Sequence, residues 1–144
     1  MIHAASVQLH GSCISIGGKG VLLLGASGSG KSDLALRLID AGAVLVADDR
    51  VDITCSGGVL RARAPQALQG LLEVRGVGIM RLPYQADAAV SLAVDLVGWD
   101  SVDRLPNSAW FEQADHRVPR YALHAFDSAS VAKIHALLRY ELTA

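Results

Sequence analysis

A phosphate-binding pattern occupies eight consecutive residues near the start of the chain. Every fixed position of G-x-x-x-x-G-K-[ST] is filled in Gly25-Ala26-Ser27-Gly28-Ser29-Gly30-Lys31-Ser32. Glycines let backbone N–H groups approach phosphate oxygens, lysine can reach the β- and γ-phosphates, and the serine hydroxyl can ligate Mg²⁺. A chance match in a Gly/Ser-rich turn is the alternative. We predict a nucleotide site over these residues.

Two carboxylates follow at a position that suits the same site. Asp48 and Asp49 come 17 and 18 residues after Lys31 and directly follow the apolar run Val44–Ala47. In a βαβ unit the ligand binds outside the carboxyl ends of the parallel strands, which places both near the nucleotide. On an extended backbone only one of them can aim at the reacting phosphate, and the other is structural or acts through Mg²⁺ or water. An acidic turn without function is the less favoured interpretation.

Four other residues are not assigned by their sequence context alone. His10 lies near a strand end, where a surface or hydrogen-bonding histidine is more common than a catalytic one. Glu73 and Arg75 interrupt an apolar stretch, which indicates either a surface ion pair or a paired or coordinating role. Arg104 has the context of an ordinary loop arginine.

The elements that must position these residues can be read from the apolar periodicity. The apolar run Val21–Leu24 predicts a strand before the loop, residues 33–41 a helix after it, and Gly42 the helix end. The strands predicted elsewhere are a half-buried strand at residues 7–10, a strand at 13–16, a hairpin at 51–64 around Gly57-Gly58, a strand at 88–97 and a last strand at 116–125. Residues 101–115 are predicted to form a loop. A terminal helix is predicted to be capped by Ser128 and to have the apolar face Val131, Ile134, Leu137 and Leu138. Gly76 and Gly78 indicate a special φ/ψ or a close backbone approach. We therefore predict an α/β fold in a single domain, residues 1–144, with a mixed central β-sheet, a phosphate-loop helix and a C-terminal helix.

Composition excludes several classes of function. Of 144 residues, 51% are hydrophobic, and 13 basic and 14 acidic side chains give a net charge of −1, so no general affinity for nucleic acid or for anionic membranes is implied. Cys13 and Cys55 have no metal-ligand spacing and suggest a reducing compartment without a disulfide. Residues 1–6 do not predict a signal peptide, and no apolar run is long enough to span a bilayer. We expect a cytoplasmic protein.

Three runs of the sequence resemble the catalytic domain of HPr kinase/phosphorylase, the bacterial enzyme that phosphorylates a serine of the sugar-transport phosphocarrier HPr and also removes that phosphate. They are Gly25–Leu36, Ala47-Asp48-Asp49 and Leu72-Glu73-Val74-Arg75-Gly76-Val77-Gly78-Ile79. The resemblance extends from His10 to about Arg104, in order and with compatible spacing.

The resemblance implies a role for each matching residue. Asp49 is similar to the acid/base aspartate, with Asp48 beside it, and Asp103-Arg104-Leu105 resembles the segment that carries the catalytic arginine. The implied site comprises catalytic His10, Lys31, Asp48, Asp49 and Arg104, the nucleotide loop Gly25 to Ser32, and the Mg²⁺ ligands Ser32 and Glu73.

The chain also departs from the family pattern. Ala43 stands where many members have histidine, Pro106 replaces a usual glycine, and the loop after Ile79 is shortened to Arg81–Asp87. The family's amino-terminal domain is expected to be absent. The sequence therefore resembles a truncated form of the family. The resemblance implies an intact nucleotide site and a hexamer, but the departures leave phosphorylase activity, HPr docking and hexameric assembly open.

These observations lead to one main hypothesis and two alternatives. The main one is a protein serine kinase that uses ATP and Mg²⁺ on HPr or a related phosphocarrier, with phosphorolysis giving pyrophosphate as the reverse reaction. A non-catalytic ATP-binding regulator of a sensor kinase or phosphotransfer system is the first alternative. A small-molecule kinase is the second.

Overall fold

The computed structural model describes residues 6–143. In chain order the elements are β1 (Ser6–Ile16), β2 (Lys19–Leu24), α1 (Lys31–Asp40), β3 (Val44–Ala47), β4 (Arg50–Ser56), β5 (Val59–Arg63), a 3₁₀ turn (Gln66–Leu68), β6 (Leu71–Val74), β7 (Gly78–Arg81), β8 (Ala88–Leu96), a second 3₁₀ turn (Trp99–Ser101), β9 (Trp110–Gln113), β10 (His116–Leu123) and α2 (Ser130–Arg139). The predicted α/β fold with a mixed sheet, a phosphate-loop helix and a C-terminal helix is confirmed. The signal-peptide prediction concerns residues 1–6, of which the first five lie outside the described residues. Neither helix of the described chain is long and apolar enough to cross a membrane.

Most strands belong to one mixed sheet that closes on itself. β1 pairs antiparallel with β2 along one edge and with β3 and β4 along the other. β4 pairs with β5, β5 with β8, and β8 returns to β2 in a parallel pair. The strands β2, β1, β4, β5 and β8 therefore form a ring, which β10 and β9 extend beyond β8.

The segment β2–α1–β3 differs from the predicted βαβ unit in one respect. β2 and β3 run in the same direction, but β1 lies between them and is antiparallel to both. The carboxyl ends of β2 and β3 still meet at one edge of the sheet. The phosphate loop and the Asp48-Asp49 pair follow these two ends, so the prediction that they lie together is confirmed.

Two apolar clusters occupy the two faces of this sheet. One takes side chains from all five ring strands and fills the ring, with Cys13, Leu22, Ile53, Leu60 and Ala93 among its members. Successive side chains of a strand point to opposite faces. The apolar neighbours of Cys13 and Leu22, which are Ile14, Val21 and Leu23, therefore belong to the second cluster.

The second cluster joins the outer face of the ring to both helices. Ile14 and Leu23 pack there against Leu34 and Leu38 of α1 and against Ile134 of α2. The predicted apolar face of the last helix is confirmed, because Val131, Leu137 and Leu138 contact the same cluster. The phosphate loop thus joins a buried strand to a helix that is packed along its apolar side.

Three local predictions need correction. β1 is one strand of 11 residues where two were predicted, because its exposure pattern changes from alternating to fully buried at Gly11. Ser128 does not cap α2, and the Asp127 carboxylate accepts a hydrogen bond from the Ala129 N–H at 2.9 Å instead. Residues 101–115 are not all loop, because they contain β9, which pairs with β10.

Candidate active site

The phosphate loop lies between β2 and α1, where its backbone is fixed by packing. The Ser29 N–H donates to the Ala26 carbonyl at 3.0 Å. Gly30 has φ of 99°, and a Cβ added to it would lie 2.7 Å from the Ala125 Cβ and 2.9 Å from the Phe126 ring. Ser29 Oγ is buried and has no hydrogen-bond partner among the described residues. Backbone amides, an unpartnered hydroxyl and a helix amino terminus are the groups that bind phosphate.

Lys31 is a cation held almost completely inside this loop. The residue is 8% exposed, and Nζ donates to the Gly25 carbonyl at 2.8 Å and to the Ala26 carbonyl at 3.0 Å. Burial lowers the pKa of Lys31, and the carboxylates of Asp49 and Asp48 oppose this shift. A partly desolvated cation beside an oriented loop is a suitable partner for phosphate oxygens.

Asp48 is the buried carboxylate of the pair. Its Oδ1 accepts from Ser12 Oγ at 2.7 Å and from Ser32 Oγ at 2.8 Å, and its Oδ2 accepts from the Glu73 N–H at 3.1 Å. These three bonds join β1, the start of α1 and β6 at one point. Asp48 therefore fixes the Ser32 hydroxyl and the Glu73 backbone relative to each other.

Asp49 is the exposed carboxylate of the pair and faces the cleft. Its Oδ1 lies 3.0 Å from Nε2 of His10, and the side chain is 63% exposed. The prediction that the two carboxylates point in different directions is confirmed. The cause is a left-handed residue, since Asp49 has φ of 68°, rather than the extended backbone assumed from the sequence. The Asp49 carbonyl accepts from the Gly11 N–H at 3.1 Å, which holds this turn against β1.

Glu73 reaches the cleft from a separate two-stranded sheet. β6 and β7 pair antiparallel, and Leu72 is fully buried in the outer core cluster while Glu73 points outward. Glu73 and Arg75 form no ion pair with each other in the described part of the chain, so the surface-pair interpretation is not supported. Gly76 and Gly78 have positive φ and open space around them, which confirms the special backbone angles and not a close approach.

These elements enclose a cleft of about 340 Å³. It brings together the predicted His10, Lys31, Ser32, Asp49 and Glu73. Its full lining is His10, Ser27, Gly28, Gly30, Lys31, Ser32, Asp33, Leu36, Asp49, Glu73, Val74, Arg75 and Phe126.

Arg104 is not brought to this cleft. It lies between the second 3₁₀ turn and β9 and lines a different cavity, of about 610 Å³, together with Tyr121, Leu137 and Leu138. Its catalytic role stays a prediction from the resemblance.

Two residues of the site, Ser12 and Phe126, were not predicted from the sequence. Ser12, which bonds to Asp48, could have been found from strand alternation, because it lies two positions after His10 and shares its face of β1. Phe126 lines the cleft beside Gly30, but nothing in its sequence context distinguishes it from any aromatic residue that follows a strand.

The donor set of the site is compatible with Mg²⁺. The Ser32 hydroxyl and the Glu73 carboxylate both line the cleft, and they are hard oxygen donors, which Mg²⁺ prefers together with water and substrate phosphates. Residues 6–143 contain no group of three His, Cys, Asp or Glu side chains placed to hold a metal ion.

Comparison with known proteins identifies relatives that match most of this chain. The profile of the family described as HPr Serine kinase C-terminal domain matches residues 2–137. A protein named HPr kinase/phosphorylase from Alkaliphilus metalliredigens is 41% identical over 113 residues, covering 71% of this chain and 37% of that protein. One of the same name from Mycoplasmopsis pulmonis is 30% identical over 143 residues, covering 91% of this chain and 46% of that protein.

A solved structure shows the same architecture. The Hpr(Ser) kinase/phosphatase from Coxiella burnetii superposes with a TM-score of 0.81 and 25% sequence identity, covering 92% of this chain and 88% of that chain. This chain spans less than half the length of the two curated relatives.

Proposed function

Because the chain belongs to the HPr serine kinase C-terminal domain family, we propose that it is an ATP- and Mg²⁺-dependent protein serine kinase. Its acceptor is HPr or a related phosphotransfer protein, and its role is regulation of carbohydrate metabolism. The observation that carries the proposal is the position of Asp49, which is exposed in the cleft formed by the phosphate loop and is held by His10 at 3.0 Å. The regulator and the small-molecule kinase gain no support from relatives that are named HPr kinase/phosphorylase.

In this proposal the phosphate loop binds the β- and γ-phosphates of ATP. The backbone amides of Gly28 and Gly30 and the Lys31 ammonium supply positive charge, and the Ser29 hydroxyl finds a partner there. Ser32 and Glu73 would hold Mg²⁺, which when bound would supply neutralisation of charge on the phosphate oxygens, and Asp48 keeps the Ser32 hydroxyl in place. Alignment and charge stabilisation are most of what a protein contributes to phosphoryl transfer.

Asp49 acts as the general base. As the acceptor serine oxygen bonds to the γ-phosphorus and the bond to the β-phosphate oxygen breaks, the hydroxyl proton passes to the Asp49 carboxylate. Asp48 is less suited, because three hydrogen bonds already occupy its oxygens. His10 positions Asp49 through their contact.

Phosphorolysis of the phosphoserine uses the same groups. A protonated Asp49 donates to the serine oxygen as inorganic phosphate attacks the phosphoserine phosphorus, giving pyrophosphate and free serine. Neutralisation of the transferring group by Arg104 is part of the family resemblance and stays a prediction, as do a hexamer and an association with a sensor kinase.

A cytoplasmic location and a single catalytic domain over residues 1–144 complete the proposal. Two free cysteines, the buried Cys13 and the half-buried Cys55, support a reducing compartment.

Phosphate incorporation tests the proposed activity directly. The purified chain is incubated with HPr and with ATP labelled at the γ-phosphate, and the labelled residue is identified by mass spectrometry. We expect phosphoserine with the wild type and none with Lys31→Ala or with an acceptor that lacks its serine. Transfer by the wild type at the level of Lys31→Ala would exclude the kinase.

A further inference from the structure

Phe126 is an aromatic side chain of the cleft that the proposed chemistry does not use. It follows β10 in the link to α2, and its side chain is 60% exposed although it lines the cleft beside the phosphate loop. Its ring carbons would lie 2.9 and 3.2 Å from a Cβ added at Gly30. An aromatic surface left open beside a nucleotide loop is available for stacking.

The backbone of this link is anchored to α1. The Ala125 carbonyl accepts from the Arg37 guanidinium and, at 3.2 Å, from Ser130 Oγ, which itself accepts from Arg37 Nη1 at 3.1 Å. These bonds tie the residue before Phe126 to both helices. The ring is therefore held at a fixed place relative to the loop.

A second aromatic ring packs against Phe126 in a T-shaped arrangement. His124 meets it with ring centroids 5.9 Å apart and an interplanar angle of 72°, and Trp99 meets His124 at 5.7 Å and 70°. His124 is itself fixed by a contact of 3.0 Å between Nδ1 and the Val97 carbonyl. Phe126 therefore has one aromatic neighbour in a T-shaped arrangement and keeps 60% of its surface exposed.

The order of the strands shows on which side of the loop Phe126 lies. β2, which leads into the loop, has β1 and then β3 on one side and β8 and then β10 on the other. His10 and Asp49 come from the first side, and Phe126 comes from the second. A nucleotide whose terminal phosphate faces Asp49 therefore has its nucleoside directed toward Phe126.

We propose that Phe126 is the stacking platform for the nucleobase of the bound nucleoside triphosphate. The inference rests on the proposed function, since it assigns the part of ATP that the phosphate loop does not contact. The loop amides and Lys31 recognise phosphate whatever base is attached. Phe126 adds the affinity that separates a nucleotide from an inorganic polyphosphate, and an aromatic face accepts either purine.

Binding of ATP and of inorganic tripolyphosphate, measured by calorimetry on purified variants, tests this assignment. Phe126→Ala and the bulkier Phe126→Leu should weaken ATP about tenfold and leave tripolyphosphate within about twofold of the wild type. Phe126→Trp should keep the wild-type affinity for ATP, because it also presents an aromatic ring. Trp110→Ala, which removes an exposed aromatic residue of β9 outside the cleft, is the matched control and should leave both constants unchanged.

Two outcomes would overturn the assignment. Equal weakening of ATP and tripolyphosphate would mean that Phe126 only supports Gly30 and the loop. Unchanged ATP binding in both variants would mean that the base lies elsewhere. A wild type that binds ATP through Phe126 yet phosphorylates no serine would overturn the proposed function and leave the stacking site standing.

Discussion

Asp48 and Asp49 are adjacent in sequence and have opposite environments. Asp48 accepts three hydrogen bonds in a buried position, while Asp49 is open to the cleft and has His10 as its one side-chain hydrogen-bond partner among the described residues. A carboxylate whose lone pairs are occupied organises its donors, whereas one that is exposed beside a substrate can accept a proton.

Replacing each carboxylate by its amide separates these two roles. Asp49→Asn should reduce phosphoryl transfer by about 10²- to 10⁴-fold, the usual contribution of a general base, with ATP affinity and thermal stability unchanged. The measurements are phosphoserine formation, calorimetric ATP binding and thermal unfolding of the same preparations.

Asp48→Asn is the matched control for that experiment. It should lower the melting temperature and weaken Mg²⁺-dependent ATP binding. The reason is that the amide places an N–H₂ group opposite one of the groups that now donate a hydrogen bond to Asp48. If Asp49→Asn lost ATP binding and catalysis together, Asp49 would be a nucleotide or metal ligand and not the base.

At the scale of elements, the loop between β2 and α1 depends on its contact with the link that follows β10. Gly30 and Gly28 both have positive φ, of 99° and 82°, so an alanine is strained at either position. Their surroundings differ, since a Cβ at Gly30 meets Ala125 and Phe126 whereas one at Gly28 meets nothing within 4 Å.

Gly30→Ala and Gly28→Ala therefore form a matched pair. Each should lose about 1–2 kcal/mol of stability through the left-handed backbone alone. Gly30→Ala should lose more, because the Ala125 Cβ at 2.7 Å cannot rotate away. Thermal unfolding of the two variants measures the difference, and equal melting temperatures would show that the link after β10 yields without cost.

The start of α2 is held by a residue outside the helix. Asp127 accepts from the Ala129 N–H at 2.9 Å and from the Lys133 ammonium at 2.7 Å, and the bond to Lys133 holds the pKa of Asp127 below its usual value. Asp127→Ala should lower the melting temperature, and Ser128→Ala should not. If Ser128→Ala lost as much stability as Asp127→Ala, the prediction that Ser128 caps α2 would be supported instead.

At the scale of the whole molecule, the closed sheet isolates one thiol and leaves the other within reach. Cys13 is fully buried inside the ring, and burial raises its pKa from 9.0 to about 12. Cys55 is half-buried. A thiol reagent should therefore label Cys55 in the native protein and both cysteines after denaturation, as counted by intact mass.

The same shift makes stability depend on pH in a definite direction. Between pH 9 and about 12 the unfolded chain loses the Cys13 proton and the folded chain keeps it, so stability falls as pH rises. Inside this window the free energy of unfolding falls by up to about 1.4 kcal/mol per pH unit. Cys13→Ala should flatten the alkaline decline in the free energy of unfolding and Cys55→Ala should not; equal slopes would contradict complete burial.

Local sequence patterns predicted much of this molecule, because they act over short distances. The phosphate loop, the hairpin of β4 and β5, and the apolar face of α2 each follow from turn residues and periodicity within a few positions. The β9–β10 hairpin was missed because Ala114 and Asp115 form its turn with positive φ without a glycine.

Long-range placement was beyond the same patterns. The position of β1 between β2 and β3, the closure of the ring by β8, and the approach of Phe126 to Gly30 depend on residues far apart in sequence. The site was predicted where its residues belong to known motifs, and it was missed at Ser12 and Phe126, whose roles arise from packing. Arg104 shows the converse, since a motif selected it and the structure places it in another cavity.

In one short segment of β1, residues of the candidate active site and residues of the ring core alternate along the strand. His10 and Ser12 share the face of Ile14, whereas Leu9 and Cys13 face the interior of the ring. The loss or gain of one codon between Ser12 and Ile14 would move part of this strand to the opposite face. Evolution of this segment is thereby limited to replacement of one amino acid by another, and length variation among natural homologues should be confined to the connections outside it.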